Sequence, residues 1–181
     1  MGKTARGIVV QGALGMALAT ACAGASAVDG ISITGGGGSD ASIARVGIQW
    51  DWNKRWLQTE NWHLNGYWDL TLAGWFAHQA YQSRDIANVG FTPVFRWEQN
   101  DQRGLYIDAG IGANLISGTQ INYSKRYSTA FQFGDQAGVG YRFGDKREHD
   151  LQLQVQHLSN GGIKEPNHGI NFYMLRYQYH F

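Results

Sequence analysis

The chain has 181 residues, with 15 Lys and Arg against 14 Asp and Glu for a formal charge of +1. That balance, without a basic stripe or a recognition motif, excludes nucleic acid as a partner, and nothing after the N-terminal segment approaches the roughly 20 apolar residues of a membrane helix. Twenty-five glycines, two prolines and 13% aromatic residues fit strands, turns and interfacial girdles better than helices.

Lys3 and Arg6 precede a moderately apolar run from Gly7 to Ala21, and Ala25-Ser26-Ala27 places small residues at a cleavage site. This predicts a secretory signal peptide over 1–27, followed by one domain, 28–181, whose mature chain starts at Val28. Cys22 falls in the removed part, so the mature chain has no cysteine and no disulfide. The alternative, a lipoprotein signal at Ala19-Thr20-Ala21-Cys22, lacks the usual leucine.

Eight alternating segments follow in order. Ile31 and Ile33 alternate with Ser32 and Thr34; Ala44, Val46, Ile48, Trp50 and Trp52 with Ile43, Arg45, Gly47, Gln49 and Asp51. Leu64, Trp68, Leu70 and Leu72 oppose Asn65, Tyr67, Asp69 and Thr71, and Val89, Phe91, Pro93, Phe95 and Trp97 oppose Asn88, Gly90, Thr92, Val94 and Arg96. The fifth sets Leu105, Ile107, Ala109, Ile111, Ala113 and Leu115 against Tyr106, Asp108, Gly110, Gly112 and Asn114. The sixth has Phe131, Phe133, Ala137, Val139, Tyr141 and Phe143 on one face; the seventh and eighth run from Leu151 to Ser159 and from Ile170 to Phe181. Pro93 cannot donate to a ladder, so a bulge or local kink is expected there.

A period of two puts one face against an apolar medium and the other against a polar one. The polar set holds Arg45, Asp51, Asp69, Arg96, Asp108, Arg142, Gln152, Gln154, Gln156 and Arg176 among many glycines. Small residues and charges of both signs fill the lumen of an eight-stranded barrel, which is too narrow for a pore. A soluble lipocalin-like barrel would put the apolar set inside; charges of both signs on one face and tryptophans near strand ends on the other favour an antiparallel transmembrane β-barrel. A final strand that stops on an aromatic residue, Phe181, also resembles the closing strand of bacterial outer-membrane barrels.

With both termini periplasmic, odd strands run outward. The turns near Asn53 to Asn61, Gln99 to Arg103 and Gly144 to Glu148 are then periplasmic. The stretches Gly35 to Asp40, Ala77 to Asp85, Ser117 to Ser128 and Asn160 to Gly169 are extracellular loops.

In the seventh strand the apolar register Leu151, Leu153, Val155 continues into His157 and Ser159, so two polar groups occupy the lipid face at its outer end. Residues two apart lie roughly 6.5 to 7 Å apart on one face. A neutral imidazole there can take the proton as a serine attacks an ester carbonyl. The plainer reading is a polar strand end facing headgroups, and a His-x-Ser pair by itself does not separate the two.

The run His157-Leu158-Ser159-Asn160-Gly161-Gly162-Ile163-Lys164, followed by Pro166-Asn167 and Gly169, closely resembles the signature of the PagL family of lipid A 3-O-deacylases. The likeness extends through Trp50-Asp51-Trp52 with Lys54 and Trp56, Gly66-Tyr67-Trp68-Asp69, Pro93-Val94-Phe95, Ala109-Gly110-Ile111-Gly112, and Phe131 to Gly140. It implies an eight-stranded outer-membrane barrel carrying a Ser-His-acid triad on its outer wall, with Ser159 as nucleophile and His157 as general base.

The resemblance departs at the acid, because the family's Glu or Asp on the last strand matches Asn171, an uncharged amide. Asn171 shares the outward face with Tyr173 and remains the leading orienting residue. Asp135 is next: if Phe143 pairs with His149, it falls opposite His157. Glu165, in the adjoining loop, is third. Each also has a plainer reading, a charge that interrupts strand apolarity for Asp135 and a solvated loop charge for Glu165.

By the same resemblance, the Gly162 amide and Asn167 side chain are the oxyanion donors, while Asn160 shapes the loop; an ordinary Gly/Asn/Pro turn is compatible with that. Lys164, Arg84, Lys125 and Arg126 map to extracellular loops, where they either meet lipid A phosphates or are simply solvated. The six histidines show no metal spacing, no cofactor fingerprint appears, and a serine esterase needs neither.

The expectation is an outer-membrane esterase, its site facing the outer leaflet, that hydrolyses the 3-O-linked 3-hydroxyacyl chain of lipid A within lipopolysaccharide. It would meet outer-membrane lipids and, by family, a homodimer is allowed. Alternatives are a non-enzymatic barrel that binds lipopolysaccharide or stabilises the envelope after losing its acid, and an acyltransferase.

Overall fold

A computed structural model describes residues 27–78, 83–123 and 125–181. The predicted signal peptide, including Cys22, lies outside these residues apart from Ala27.

Eight antiparallel strands close in sequence order, with β8 returning to β1: β1 (Gly30–Gly37), β2 (Ala41–Asp51), β3 (Trp62–Ala77), β4 (Ile86–Gln99), β5 (Gly104–Ile116), β6 (Phe131–Phe143), β7 (His149–Ser159) and β8 (Ile170–His180). Closure removes both sheet edges, the condition for a sheet to stand in hydrocarbon. The connections L1 (38–40), L2 between β3 and β4, L3 (117–130) and L4 (160–169) join the strand ends opposite the start of β1 and the end of β8.

Alternation fixes the faces as expected. Ile33, Ile107, Ile111, Leu153 and Tyr173 are each 58 to 65% exposed on the outer wall, while Asp69, Asp108, Asp150, Gln152 and Arg176 are buried inside. A continuous apolar wall around a polar lumen inverts the arrangement of a soluble lipid carrier and requires an apolar surrounding.

The lumen is held by charged hydrogen bonds. Arg176 grips Asp69 through two bonds of 2.7 and 2.9 Å, and Arg96 binds Asp150 at 2.9 Å and Asp108 at 3.2 Å. Among the described residues Arg45 meets no carboxylate; Gln154 and Gln156 accept from its guanidinium at 2.9 and 3.2 Å.

Near the loops the polar filling gives way to an apolar plug. Trp75, Ile86, Ile116, Leu158, Ile170 and Phe172 point inward and pack beneath Ile121 and Tyr127 of L3. This plug explains why β3 and β4 extend past the alternating segments, to Ala77 and back to Ile86. Both faces there are apolar, so the period-two signal fades while the ladder continues.

At the opposite end Trp52 packs edge-on against Trp56, Trp68 and Phe95, and Trp62 stacks on Trp97, an aromatic girdle of the kind found at membrane interfaces. The expected disturbance at Pro93 takes the form of a gap. Pairing with β5 skips Thr92 and Pro93 but holds the same register from Phe91↔Ala113 to Val94↔Gly110, so no residue is inserted as a bulge would require.

Candidate active site on the outer wall

Three neighbouring strands place the site. In the β6–β7 ladder Phe143 pairs with His149, which sets Asp135 opposite His157 and Phe133 opposite Ser159. In the β7–β8 ladder His157 pairs with Asn171. The imidazole therefore stands between Asp135 and Asn171 on the outward face, with all three side chains lining one groove of about 410 Å³ that continues past Ala137, Val155 and Tyr173.

Across the β7–β8 pair the His157 Nδ1 and Asn171 Oδ1 atoms are 2.6 Å apart. An amide oxygen only accepts, so Nδ1 carries the hydrogen, and in the neutral ring Nε2 then keeps its lone pair, the tautomer a general base needs. Below the wall, the inward neighbours Leu158, Ile170 and Phe172 are at most 2% exposed. The face that bears His157 and Asn171 is thus backed by the apolar plug, which limits backbone movement there.

Ser159 is half-buried at the last position of β7, on the same face as His157. Among the described residues its hydroxyl is not hydrogen-bonded to the imidazole, which leaves it available to a substrate. Catalytic bonds commonly tighten only when substrate is bound.

L4 is built around Asn160, which is fully buried. Its backbone N–H donates to Asn167 Oδ1 at 3.0 Å, its Nδ2 donates to the Lys164 carbonyl at 2.6 Å and to Ser128 Oγ at 3.0 Å, and its Oδ1 accepts from the Gly162 amide at 2.9 Å. Asn160 thus organises the loop. Asn167 keeps its Nδ2 for another acceptor, whereas the Gly162 amide is already committed inside the loop. Glu165 is committed too, accepting from the Asn167 backbone N–H at 2.9 Å, and it is not among the residues that line the His157 groove.

Of the basic residues, Lys164, Arg126 and Arg84 are exposed, but Lys125 is not a free charge. Its ammonium lies 3.5 Å from Asp40 of L1 and donates to the Gly169 carbonyl of L4 at 3.3 Å. Partial burial raises the Asp40 pKa, yet hydrogen bonds from Ser39 and Asn122 and the Lys125 ammonium outweigh it and hold the carboxyl below its ordinary value.

Sequence reasoning named Gly169 only as part of the family signature and gave it no role; it sits against the ring of His157. A Cβ there would lie 2.8 Å from Cε1 and 3.3 Å from Nε2, and its φ is +58°. Nor did it find Gly38, whose Cβ would come within 2.1 Å of the Asn171 carbonyl oxygen. The glycine run at 35–38 was the available signal, but close approach between chains has no local pattern. Among the described residues no group of His, Cys, Asp and Glu converges as a metal site.

The profile of the family described as lipid A 3-O-deacylase (PagL) matches residues 43–180. The lipid A deacylase PagL of Pseudomonas aeruginosa is 33% identical over 157 residues, covering 86% of this chain and 88% of that one. Its counterpart from Bordetella bronchiseptica is 34% identical over 174 residues, covering 91% and 92%. The crystal structure of the outer membrane enzyme PagL superimposes with a TM-score of 0.75 at 30% identity, over 84% of this chain and 99% of that one. Matched along nearly all of its barrel in sequence and in fold, the chain belongs to the PagL family of lipid A 3-O-deacylases, a family of outer-membrane β-barrel enzymes.

Proposed function

We propose that this chain is a serine esterase that hydrolyses the 3-O-linked 3-hydroxyacyl chain of lipid A, with Ser159 as nucleophile and His157 as general base. The observation that carries the reading is the 2.6 Å contact between His157 and Asn171, which leaves Nε2 basic on the face that also bears Ser159. Family membership supplies the substrate class.

In this reading His157 Nε2 takes the Ser159 proton as Oγ attacks the ester carbonyl. The resulting imidazolium returns a proton to the departing sugar hydroxyl, and water then cleaves the acyl-enzyme by the same steps in reverse order. The oxyanion needs a fixed donor. Among the described residues Asn167 Nδ2 has no acceptor, and the bond from the Asn160 N–H to its Oδ1 fixes the amide's orientation; the Gly162 amide contributes only if it leaves Asn160 Oδ1. Asn171 orients the imidazole, and Asp135 supplies a carboxylate opposite it across the other ladder.

The loop end faces outward in this reading, so the site meets the outer leaflet and lateral diffusion delivers the substrate. Arg126 and Lys164, both exposed at that rim, meet the lipid A phosphates, and residues 1–27 direct export. The amide at 171 favours a second reading, a barrel that binds lipopolysaccharide without cleaving it.

Mass spectrometry of lipid A from cells expressing the wild-type chain, Ser159→Ala or neither separates the two. Loss of one 3-hydroxyacyl group with the wild-type chain alone is the expected result. Unchanged lipid A with a correctly inserted barrel would overturn the catalytic reading.

A further inference from the structure

Around L4 the third loop acts as a brace. Tyr127 forms a β-bridge with Asn167. The His168 N–H reaches the Arg126 carbonyl at 3.5 Å, while the Arg126 N–H donates to His168 Nδ1 at 3.1 Å. Ser128 Oγ donates to the Lys164 carbonyl. L3 is thus laced to the segment that carries Asn167 and ends at Gly169.

The brace has one charged anchor. Lys125 Nζ bridges the Gly169 carbonyl and the Asp40 carboxylate. Asn122 ties the other end, donating to Asp40 Oδ1 at 3.3 Å and accepting from the Lys125 N–H at 2.8 Å. Gly169 in turn lies against the His157 imidazole.

Resting on the esterase reading above, we propose that Lys125 and Asp40 are positioning residues that fix Gly169, and through it the imidazole of His157, rather than contacts for lipid A phosphates. Charge complementarity decides between the two roles. A phosphate approaching Lys125 meets the Asp40 carboxylate already paired with it, so the pair repels part of the attraction it offers. The same pair suits a neutral backbone carbonyl, which is what Lys125 binds. Side chains of 25% and 14% exposure leave the pair partly shielded from water, which strengthens it over a surface ion pair.

The two roles predict opposite kinetics. A ground-state phosphate contact, once lost, raises KM; a displaced base lowers kcat, and misplacement by about 1 Å costs roughly 100-fold. The test uses the mature chain folded in detergent micelles with lipid A as substrate, folded barrel being quantified by gel migration of unheated samples. Lys125→Met and Asp40→Asn are each expected to lower kcat at least about 10-fold with KM little changed. Lys125→Arg should restore much of it, and the double variant should be no worse than either single one. A raised KM at intact kcat for Lys125→Met, or a lowered KM for Asp40→Asn, would identify a phosphate contact and overturn the proposal.

Ser159→Ala in the same assay distinguishes the underlying reading: wild-type rates without the hydroxyl end that reading itself. A readout independent of turnover is the imidazole resonance of His157. It should move in Lys125→Met and Asp40→Asn but not in Lys146→Met at the opposite end of the barrel, and an unmoved resonance overturns the brace whatever the activity.

Discussion

His157 and Asn171 face each other across the β7–β8 ladder with Nδ1 and Oδ1 2.6 Å apart, so the partner of the imidazole is a neutral amide oxygen and not a carboxylate. Orientation and charge, normally delivered by one side chain, are separated here. In the proposed mechanism Asn171 holds the ring and its tautomer but brings no charge to the imidazolium that forms during attack. Replacing the acid by its amide in a serine hydrolase costs up to about 10⁴ in rate, mainly through the wrong tautomer, and the tautomer here is the productive one. Asn171→Asp, which keeps shape and reach, is therefore expected to raise kcat by about 10-fold or more while staying well under that ceiling. Asn171→Ala should lower it. Purified-enzyme kinetics on lipid A decide it, and an Asp variant no faster than wild type would mean charge is not limiting.

In the same reading Asp135 supplies part of the missing charge. It is the cross-strand partner of His157 on the side opposite Asn171 and lines the same groove, where directly opposed Cβ atoms are roughly 4.5 to 5.5 Å apart. Asp135→Asn should lower kcat by about 10-fold in the native chain, the scale of one nearby charge on a developing cation. In an Asn171→Asp background the loss should shrink, because the new carboxylate does the same work. Equal losses in both backgrounds would show that Asp135 acts independently of the imidazolium.

The strands, their faces and the His157–Ser159 pair were legible because period-two alternation reports directly on which medium each face meets. Even the pairing of Asp135 with His157 followed once the β6–β7 turn was placed between Phe143 and His149. The apolar plug was not legible, since Trp75 and Ile86 lie where both faces are apolar and alternation carries no information. The brace was hidden for a different reason. Lys125, Asp40 and Gly169 come from three loops, and contacts between loops leave no periodic trace. That is why Lys125 reads as a solvated charge or a phosphate contact in the sequence.

Inside the lumen the Arg176–Asp69 pair is fully buried and bidentate. Removing one member of such a pair strands a charge and costs about 3–5 kcal/mol, while replacing both with apolar residues of similar volume is often neutral. Asp69→Ala should therefore cut stability by about that amount in urea unfolding of the micelle-bound barrel. Asp69→Leu with Arg176→Met should recover most of it. Because Arg176 lies well down β8 from Asn171, the folded fraction of each variant should retain wild-type kcat. A double variant as unstable as Asp69→Ala would argue for an essential network through Ser32, which also accepts from Arg176.

Acid should loosen the loops before the barrel. The Asp40 carboxyl titrates below its ordinary value of 3.8, so its contribution is complete above that value and disappears as pH falls through the lower folded-state value. Amide protection factors in L1 and L3 are expected to hold down to about 3.8 and to drop below it, with those of the β-ladders unchanged. In Asp40→Asn the loop protection should be lower at neutral pH and insensitive to acid. Loop and ladder protection falling together would show that this carboxylate does not gate the loops.

Gly169 gives the sharpest separation of catalysis from folding. Its φ of +58° lies in the region that L-residues other than Gly, Asn and Asp seldom adopt, and a Cβ would stand 2.8 Å from His157 Cε1. The imidazole is the movable partner, since the backbone on the other side is laced to L3 and held by Lys125. Gly169→Ala is expected to push the ring away from its 2.6 Å contact with Asn171 and to lower kcat by about 100-fold. Stability should fall by only about 1–2 kcal/mol, the strain of the left-handed conformation. Ring displacement, unlike general loosening, should not be relieved by a better hydrogen-bond partner, so Asn171→Asp should rescue little of the loss. Recovery to wild-type kcat in that double variant would refute steric displacement as the cause.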